Sequence, residues 1–359
     1  MHATSPTHPK RIGFLTFGHW HATGGSRTPT AADALKQTVD LAVEAERIGL
    51  DGAYLRVHHF GKSLSTPFPL LAAMAARTER VELGTAVIDM RYENPLALAE
   101  QAAITDLLSD GRLQIGVSRG SPESAYRGYE AFGHTPAPGQ APGDYARVKT
   151  EQFRAAISAT PVVHADRGGA PSVAMLAVQP QSAGLRQRIW WGAGTRQTAE
   201  WAGEQGMHLM SSTLLSEDTG VPFDELQAEQ IALFRDAWRR SGHAGEPRVS
   251  VSRSVLPVTD DFDRLLFGGR DDNDQVGLLE GVRARFGRSY TGAPDEIAEE
   301  LARDAAVQAA DTLLLTVPNQ LGVEYNARML ETIARHVAPA LGWQPAHERD
   351  TTRGALQAR

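Results

Sequence analysis

Eight times along this chain a short β-branched or apolar run is followed by a longer segment of helical periodicity. The spacing predicts strands at Ile12–Phe17, Gly52–Val57, Val81–Ile88, Leu113–Ser118, Ile189–Ala193, His208–Met210, Val249–Leu256 and Thr312–Thr316. It predicts helices at Ala31–Ile48, Phe68–Thr78, Pro95–Leu108, Tyr145–Ala159, Arg196–Gln205, Phe223–Ser241, Pro294–Ala309 and Val323–Ala340. Strands that alternate with helices imply a parallel sheet, because parallel neighbours need a crossover and the helix is that crossover. Eight such units favour closure into a (β/α)8 TIM barrel, an α/β fold, over an open doubly wound sheet. With 359 residues the chain has room for one such barrel. We expect it over residues 11–343, between disordered tails at 1–10 and 344–359.

Local chemistry agrees with these elements. Thr30 and Asp33 form a capping-box pattern, and Gly49 can take the left-handed position just past the first helix. Asn94-Pro95 supplies an N-cap acceptor and a proline for the first helical position. Pro294-Asp295-Glu296 puts carboxylates in a first turn, against the positive end of the helix dipole. Two stretches exceed what a minimal barrel needs, residues 121–143 after the fourth strand and 259–288 after the seventh. Both belong to the C-terminal face, where barrel enzymes carry their sites, so they are expected to act as lids or pocket walls.

Composition narrows the chemistry. There is no cysteine, which removes disulfides, thiolate zinc sites, iron–sulfur clusters and thiol nucleophiles. Lys and Arg number 36 against 43 Asp and Glu, a net charge of −7 without a clustered basic face, which argues against nucleic acid as the main partner. No apolar run reaches the ~18 residues of a membrane-spanning helix, and the N-terminus has no apolar signal core, so a cytoplasmic protein is expected. The motifs of Ser hydrolases, P-loop NTPases, zincins and dinucleotide-binding proteins are all missing.

The residues that could carry chemistry gather at strand ends. His58-His59 closes the second strand; alternation sends one imidazole toward the barrel mouth and the other toward its rim. Ser118-Arg119-Gly120 closes the fourth, with an arginine suited to a phosphate or carboxylate. In the fifth unit the chain runs from Trp190-Trp191 through Gly192, Gly194, Thr195 and Thr198 into a helix whose free N–H groups could hold an anion. The first strand ends in Phe17-Gly18-His19-Trp20. His19, Trp20 and one of the adjacent tryptophans, here Trp191, would wall a substrate pocket, although strand parity leaves Trp190 equally open. No metal site is expected.

The blocks Leu55-Arg56-Val57-His58-His59-Phe60, Leu83–Ile88, Asn94–Gln101, Asp106–Gly120, Ala131-Phe132-Gly133, Trp191–Thr195 and Thr291–Ile297 fall in order over about residues 11–340. In them the chain resembles the bacterial luciferase-like flavin-dependent monooxygenase family. The resemblance implies a (β/α)8 barrel with a nonprolyl cis peptide at Ala86–Val87, behind the isoalloxazine ring. It implies that Arg119 grips the FMN phosphate, helped by Thr195, Thr198 and backbone near Gly194, with Ser118 where luciferases carry a reactive cysteine. It implies His58 beside the flavin C4a edge, with His59 supporting it. The activity implied is a two-component FMN-dependent monooxygenase. Reduced FMN comes from a separate flavin reductase, and O2 adds as a C4a-hydroperoxide that oxygenates a small, apolar or aromatic substrate. A homodimer packed through the early helices is implied as well. Val57 replaces a glutamate of the luciferases, and the segment from Gly120 to Phe132 differs in length; both argue against an aldehyde substrate and light emission. Two alternatives remain, an F420-dependent hydride-transfer enzyme on the same fold and a non-catalytic flavin-binding barrel.

Overall fold

The computed structural model describes residues 10–120, 125–217, 219–269, 274–279 and 282–349. Eight parallel strands run in chain order around a ring: β1 (Arg11–Thr16), β2 (Gly52–Leu55), β3 (Glu82–Asp89), β4 (Leu113–Ser118), β5 (Ile189–Ala193), β6 (His208–Ser211), β7 (Val249–Pro257) and β8 (Thr312–Thr316). β8 pairs with both β1 and β7, and β6 meets β7 at Leu209 and Met210, so the sheet closes on itself. The outer helices are α1 (Ala31–Ile48), α2 (Phe68–Ala75), α3 (Pro95–Leu108), α4 (Pro142–Ala156), α5 (Arg196–Glu204), α6 (Phe223–Arg240), α7 (Pro294–Arg303) and α8 (Val323–His336). The fold is therefore the TIM barrel that the alternation predicts. No helix among the described residues is long and apolar enough to cross a membrane.

The expected caps are formed. Thr30 and Asp33 close a reciprocal capping box on α1, Gly49 ends that helix at φ 92°, and the Asn94 side chain accepts from the first free N–H groups of α3. Alternation along each strand then sorts the side chains into two layers. Ile12, Phe14, Leu83, Ile115, Trp191, Val251 and Leu313 face the helices and join the main core. Leu15, Tyr54, Ala86, Trp190, Met210 and Leu314 face inward and form a separate cluster inside the barrel.

Beneath that inner cluster the barrel is plugged by polar groups that satisfy one another. Glu82 pairs with Arg11 and Arg248 and accepts from the Tyr54 hydroxyl at 3.1 Å. Trp190 Nε1 donates to Gln114 at 2.8 Å. Burial pushes the Glu82 carboxyl up, but the two guanidinium groups outweigh it and hold it below the ordinary value. These groups fill the lower part of the barrel interior, and the cavity opens toward the C-terminal ends of the strands.

Four features depart from the sequence reading. The helix expected over Pro294–Ala309 breaks at Asp304, which takes extended backbone and caps a second short helix, Ala305–Ala309. The break has a cause far away in sequence: the Asp304 carboxylate is held by Arg253 at 2.7 and 3.0 Å and by Tyr290 at 2.6 Å. A hairpin of Val163–Asp166 with Pro171–Leu176 was not foreseen. In the excursion after β7, a helix at Asp261–Phe267 precedes a hairpin of Gln275–Leu279 and Val282–Phe286, whose second strand pairs with Leu214–Leu215. Finally, residues 344–349 of the expected C-terminal tail lie against the barrel base, where the Ala346 amide donates to Gly49 and Arg349 pairs with Asp51. Residues 1–9 and 350–359 of the two expected tails lie outside the described residues, as do 121–124, 270–273 and 280–281 of the two excursions.

Candidate active site

A cavity of about 1360 Å³ opens at the C-terminal ends of the strands. Its apolar floor is made by inward residues of the inner cluster, Leu15, Ala86, Met210 and Leu314, with Val87 beside them. Small side chains leave the room. A Cβ added to Gly116 would stand 2.7 Å from Met210 Sδ, and one on Gly192 would stand 3.1 Å from Val87. Ser250 and Ser252 line the β7 side, and residues 125–129 and 135–144 form one wall. That part of the first excursion is therefore a pocket wall, as expected. Leu214, which anchors the second excursion through its strand, also lines the cavity.

The peptide bond between Ala86 and Val87 is cis, and the β3–β4 ladder shifts register between Thr85 and Ile88. Ser118 and Arg119 line the rim where β4 ends. Arg119 is exposed and makes no ion pair or hydrogen bond among the described residues. The turn that presents it is built from below. Gly120 sits at φ 87°, and a Cβ there would collide with the Asp89 carboxylate and the Arg91 guanidinium. Asp89, only 3% exposed, holds Arg91 through three donors, its backbone N–H at 2.9 Å, Nε at 3.0 Å and Nη2 at 2.7 Å.

The start of α5 differs from expectation. Gly194 lines the cavity, but Thr195 and Thr198 do not, because they cap the helix against each other. The Arg196 N–H, expected to be free for an anion, donates instead to Glu217 at 2.9 Å. The Glu217 carboxylate already serves this helix end as the anion its dipole favours.

The two histidines lie beyond the end of β2 at Leu55, and neither imidazole enters the barrel mouth. His59 is buried, stacked on Tyr92 with centroids 4.2 Å apart, and edge-on to Phe132. His58 is half-buried. Its ring stacks on Phe17 at 6.1 Å, and Phe17 stacks in turn on His19 at 5.3 Å. Neither His58 nor His59 lines the cavity; Arg56 does. The Arg56 Nε donates to His58 Nε2 at 3.2 Å, and its Nη1 donates to the Ala86 carbonyl at 3.2 Å. The side chain that β2 delivers to the cis peptide is therefore an arginine, with the histidine behind it.

The assignment of Trp191 to the pocket is corrected. Trp191 points to the helix layer, fully buried and edge-on to Trp201 of α5, and Trp190 is the tryptophan that faces inward. Even Trp190 sits in the plug below the cavity. His19 and Trp20 also stay off the cavity lining: Trp20 donates its amide to the Lys62 carbonyl, and His19 Nδ1 lies 3.4 Å from the same oxygen. Burial pushes the His19 imidazole below its ordinary value, against the opposing effect of that carbonyl. Sequence reasoning missed Arg56 and the Asp89–Arg91 pair. For Arg56 a signal existed, since it falls two positions after Tyr54 in the strand expected over Gly52–Val57. Among the described residues no three potential metal ligands lie together.

Comparison with known proteins agrees with this geometry. A family model described as luciferase-like monooxygenase matches residues 12–264. The oxygenase component of the flavin-dependent trigonelline monooxygenase of Acinetobacter baylyi is 36% identical over 87 residues, 24% of each chain. The matched stretches span between about a quarter and just over half of the lengths of the first curated relatives. Among solved structures, the oxygenating constituent of 3,6-diketocamphane monooxygenase from Pseudomonas putida, in complex with FMN, superposes with a TM-score of 0.65 at 17% identity, covering 92% of this chain and 99% of that one. The coenzyme F420-dependent tetrahydromethanopterin reductase of Methanopyrus kandleri gives 0.61 at 13% identity, covering 93% and 100%. Flavin and F420 enzymes thus share this fold.

Proposed function

Because the chain belongs to the luciferase-like monooxygenase family, we propose that it is an FMN-dependent monooxygenase that receives reduced flavin from a separate reductase and uses O2 on a small, apolar or aromatic organic substrate. The observation that carries this reading is the pairing of Arg119 at the rim with the Ala86–Val87 ledge on the floor of one cavity. A flavin phosphate needs an accessible guanidinium, and its flat ring needs an apolar ledge with small residues opposite. The cavity supplies both, so its residues fit the cofactor. Bound there in its reduced form, the flavin would supply the activation of dioxygen.

The chain's own part is to bind, orient and exclude water. Arg119 would hold the phosphate, with Gly194 allowing close backbone approach. Ser118, Thr195 and Thr198 were also expected to contact the cofactor; of these, Ser118 is the one on the cavity lining. Leu15, Ala86, Val87, Met210 and Leu314 would keep the ring's surroundings dry, which strengthens every electrostatic contact made there. His58 acts as a positioning residue in this reading. Its Nε2, being an acceptor, fixes Arg56 rather than reaching the cavity itself. His59 supports the wall through Tyr92. The reading extends to a homodimer through α3, where Leu96, Ile104, Leu107 and Leu108 remain exposed.

The test is binding of FMN, reduced FMN and F420 to the purified protein, followed by air oxidation of the bound reduced flavin. We expect both FMN forms to bind, F420 not to bind, and the protein to slow reoxidation relative to free flavin. Tight F420 binding with no binding of FMN would replace this reading with the hydride-transfer one.

A further inference from the structure

Six serines line the cavity, and four of them commit their hydroxyls locally. Ser118 accepts from the Gly120 N–H at 3.0 Å, and Ser212 from the Leu214 N–H at 3.2 Å. Ser216 donates to the Gly194 carbonyl at 3.4 Å. Ser211 donates to Gln230 and accepts from Gln227, each at 3.0 Å. Ser250 and Ser252 differ, since neither hydroxyl bonds to another described residue. Both belong to β7, where they alternate with Val249 and Val251 of the main core and so face the barrel interior. Ser250 lies in register with Met210, and Ser252 with Leu314, two members of the inner cluster. Branched aliphatic side chains dominate the inward positions of such barrels. A serine there fills less space and adds a polar group that must be met. Ser250 is only 2% exposed, and a buried hydroxyl without a partner is destabilising. The pair is therefore explained by a ligand and not by packing.

In the closed ring β7 stands four strands from β3 in either direction, so the two serines look across the cavity at the Ala86–Val87 ledge. The charged lining lies elsewhere. It comes from the ends of β2, β3 and β4 and from the first excursion, and no described residue of β6, β7 or β8 that lines the cavity is charged. Resting on the flavin reading above, which places the cofactor on the ledge side, we propose that Ser250 and Ser252 bind a neutral oxygen group of the substrate, a carbonyl or a hydroxyl. The apolar body of the substrate lies on Leu15, Met210 and Leu314. A serine hydroxyl donates once and accepts twice, so it matches either group. Alternate residues of a strand are about 7 Å apart, so the two serines cover the depth of the pocket and not a single atom. The substrate class narrows accordingly to a ketone, phenol or alcohol on an apolar frame, against a plain hydrocarbon or a carboxylate.

The experiment uses probes matched in shape, acetophenone with α-methylstyrene and phenol with toluene, and benzoate as a charged control. Their dissociation constants are measured by saturation-transfer NMR on the FMN-loaded protein, for the wild type, Ser250→Ala, Ser252→Ala and the double variant. The affinity of each protein for FMN is measured separately by fluorescence. In at least one pair the ratio of hydrocarbon to oxygenated dissociation constants should be about tenfold higher in the wild type than in the double variant. The hydrocarbons, benzoate and FMN should bind both proteins alike. Loss of general packing would weaken both members of a pair and leave the ratio unchanged. Equal ratios in the wild type and the double variant overturn the proposal, and so does failure of both oxygenated probes to bind the wild type. If the variants weaken FMN and leave the ratios alone, the serines serve the cofactor, and the proposal falls while the flavin reading stands. A wild type that binds no FMN removes the flavin reading and this proposal with it.

Discussion

Arg119 stands at the end of β4 on a turn that only glycine can complete, since Gly120 has positive φ and its missing Cβ is the space the Asp89–Arg91 pair occupies. The chain therefore fixes the backbone beside the guanidinium and leaves the guanidinium itself accessible. Charge-assisted hydrogen bonds to a phosphate contribute about 2 kcal/mol, or roughly 30-fold in affinity. Arg119→Ala is accordingly expected to weaken FMN by about that factor while barely changing riboflavin, which has the ring but no phosphate. Titration of both ligands by fluorescence checks this, and equal losses would show that Arg119 does not hold the phosphate. The residue itself was legible in the sequence as Ser118-Arg119-Gly120. Its support was not, because Asp89 and Arg91 lie about thirty positions upstream and meet Gly120 only through β3–β4 pairing.

At the scale of elements, the break between α7 and the short helix Ala305–Ala309 shows how one buried pair overrides local propensity. Residues 294–309 read as one continuous helix, yet Asp304 leaves helical geometry to meet Arg253 of β7, which is 3% exposed. Asp304→Ala would leave that guanidinium buried without its partner, a loss of about 3–5 kcal/mol. The loss should appear as a lower urea midpoint at pH 7. Burial pushes the Asp304 carboxyl up, but Arg253 and the Tyr290 hydroxyl outweigh it and hold it below the ordinary value. A carboxyl whose pKa is lower folded than unfolded stabilises fully above its unfolded value, about 3.9, and that stabilisation is lost as pH falls toward the folded value. The gap between wild type and Asp304→Ala should therefore narrow below about pH 4. Urea melts across that range check the sign, and a gap that widens in acid would contradict it. The start of α5 is a second case at this scale. Its free N–H groups were expected to hold an anion, whereas Thr195 and Thr198 cap each other and the carboxylate that takes the Arg196 N–H comes from Glu217, beyond the next strand.

For the whole molecule, closure of the barrel leaves one helix face without cover. Leu96, Ile104, Leu107 and Leu108 follow helical spacing along α3 and are each 38–58% exposed. A row of this kind is the usual mark of an interaction surface, and a second copy of the chain is the partner proposed here. The double variant Ile104→Glu, Leu108→Lys is expected to convert a dimer to a monomer in sedimentation equilibrium without changing the circular dichroism spectrum. A wild type that sediments as a monomer would dismiss this interface. The sequence alone determined the eightfold alternation, its closure into a parallel barrel, the helix caps and the strand ends that bear polar groups. All of these follow from hydrogen bonding and periodicity within about twenty residues. Only the tertiary structure decided which neighbour in a strand faces inward. It gave Trp190 to the interior and Trp191 to the helix layer, and it put Arg56 in front of His58. Parity along a strand is set by its register against partners dozens of residues away, and a shift of one position exchanges the two faces.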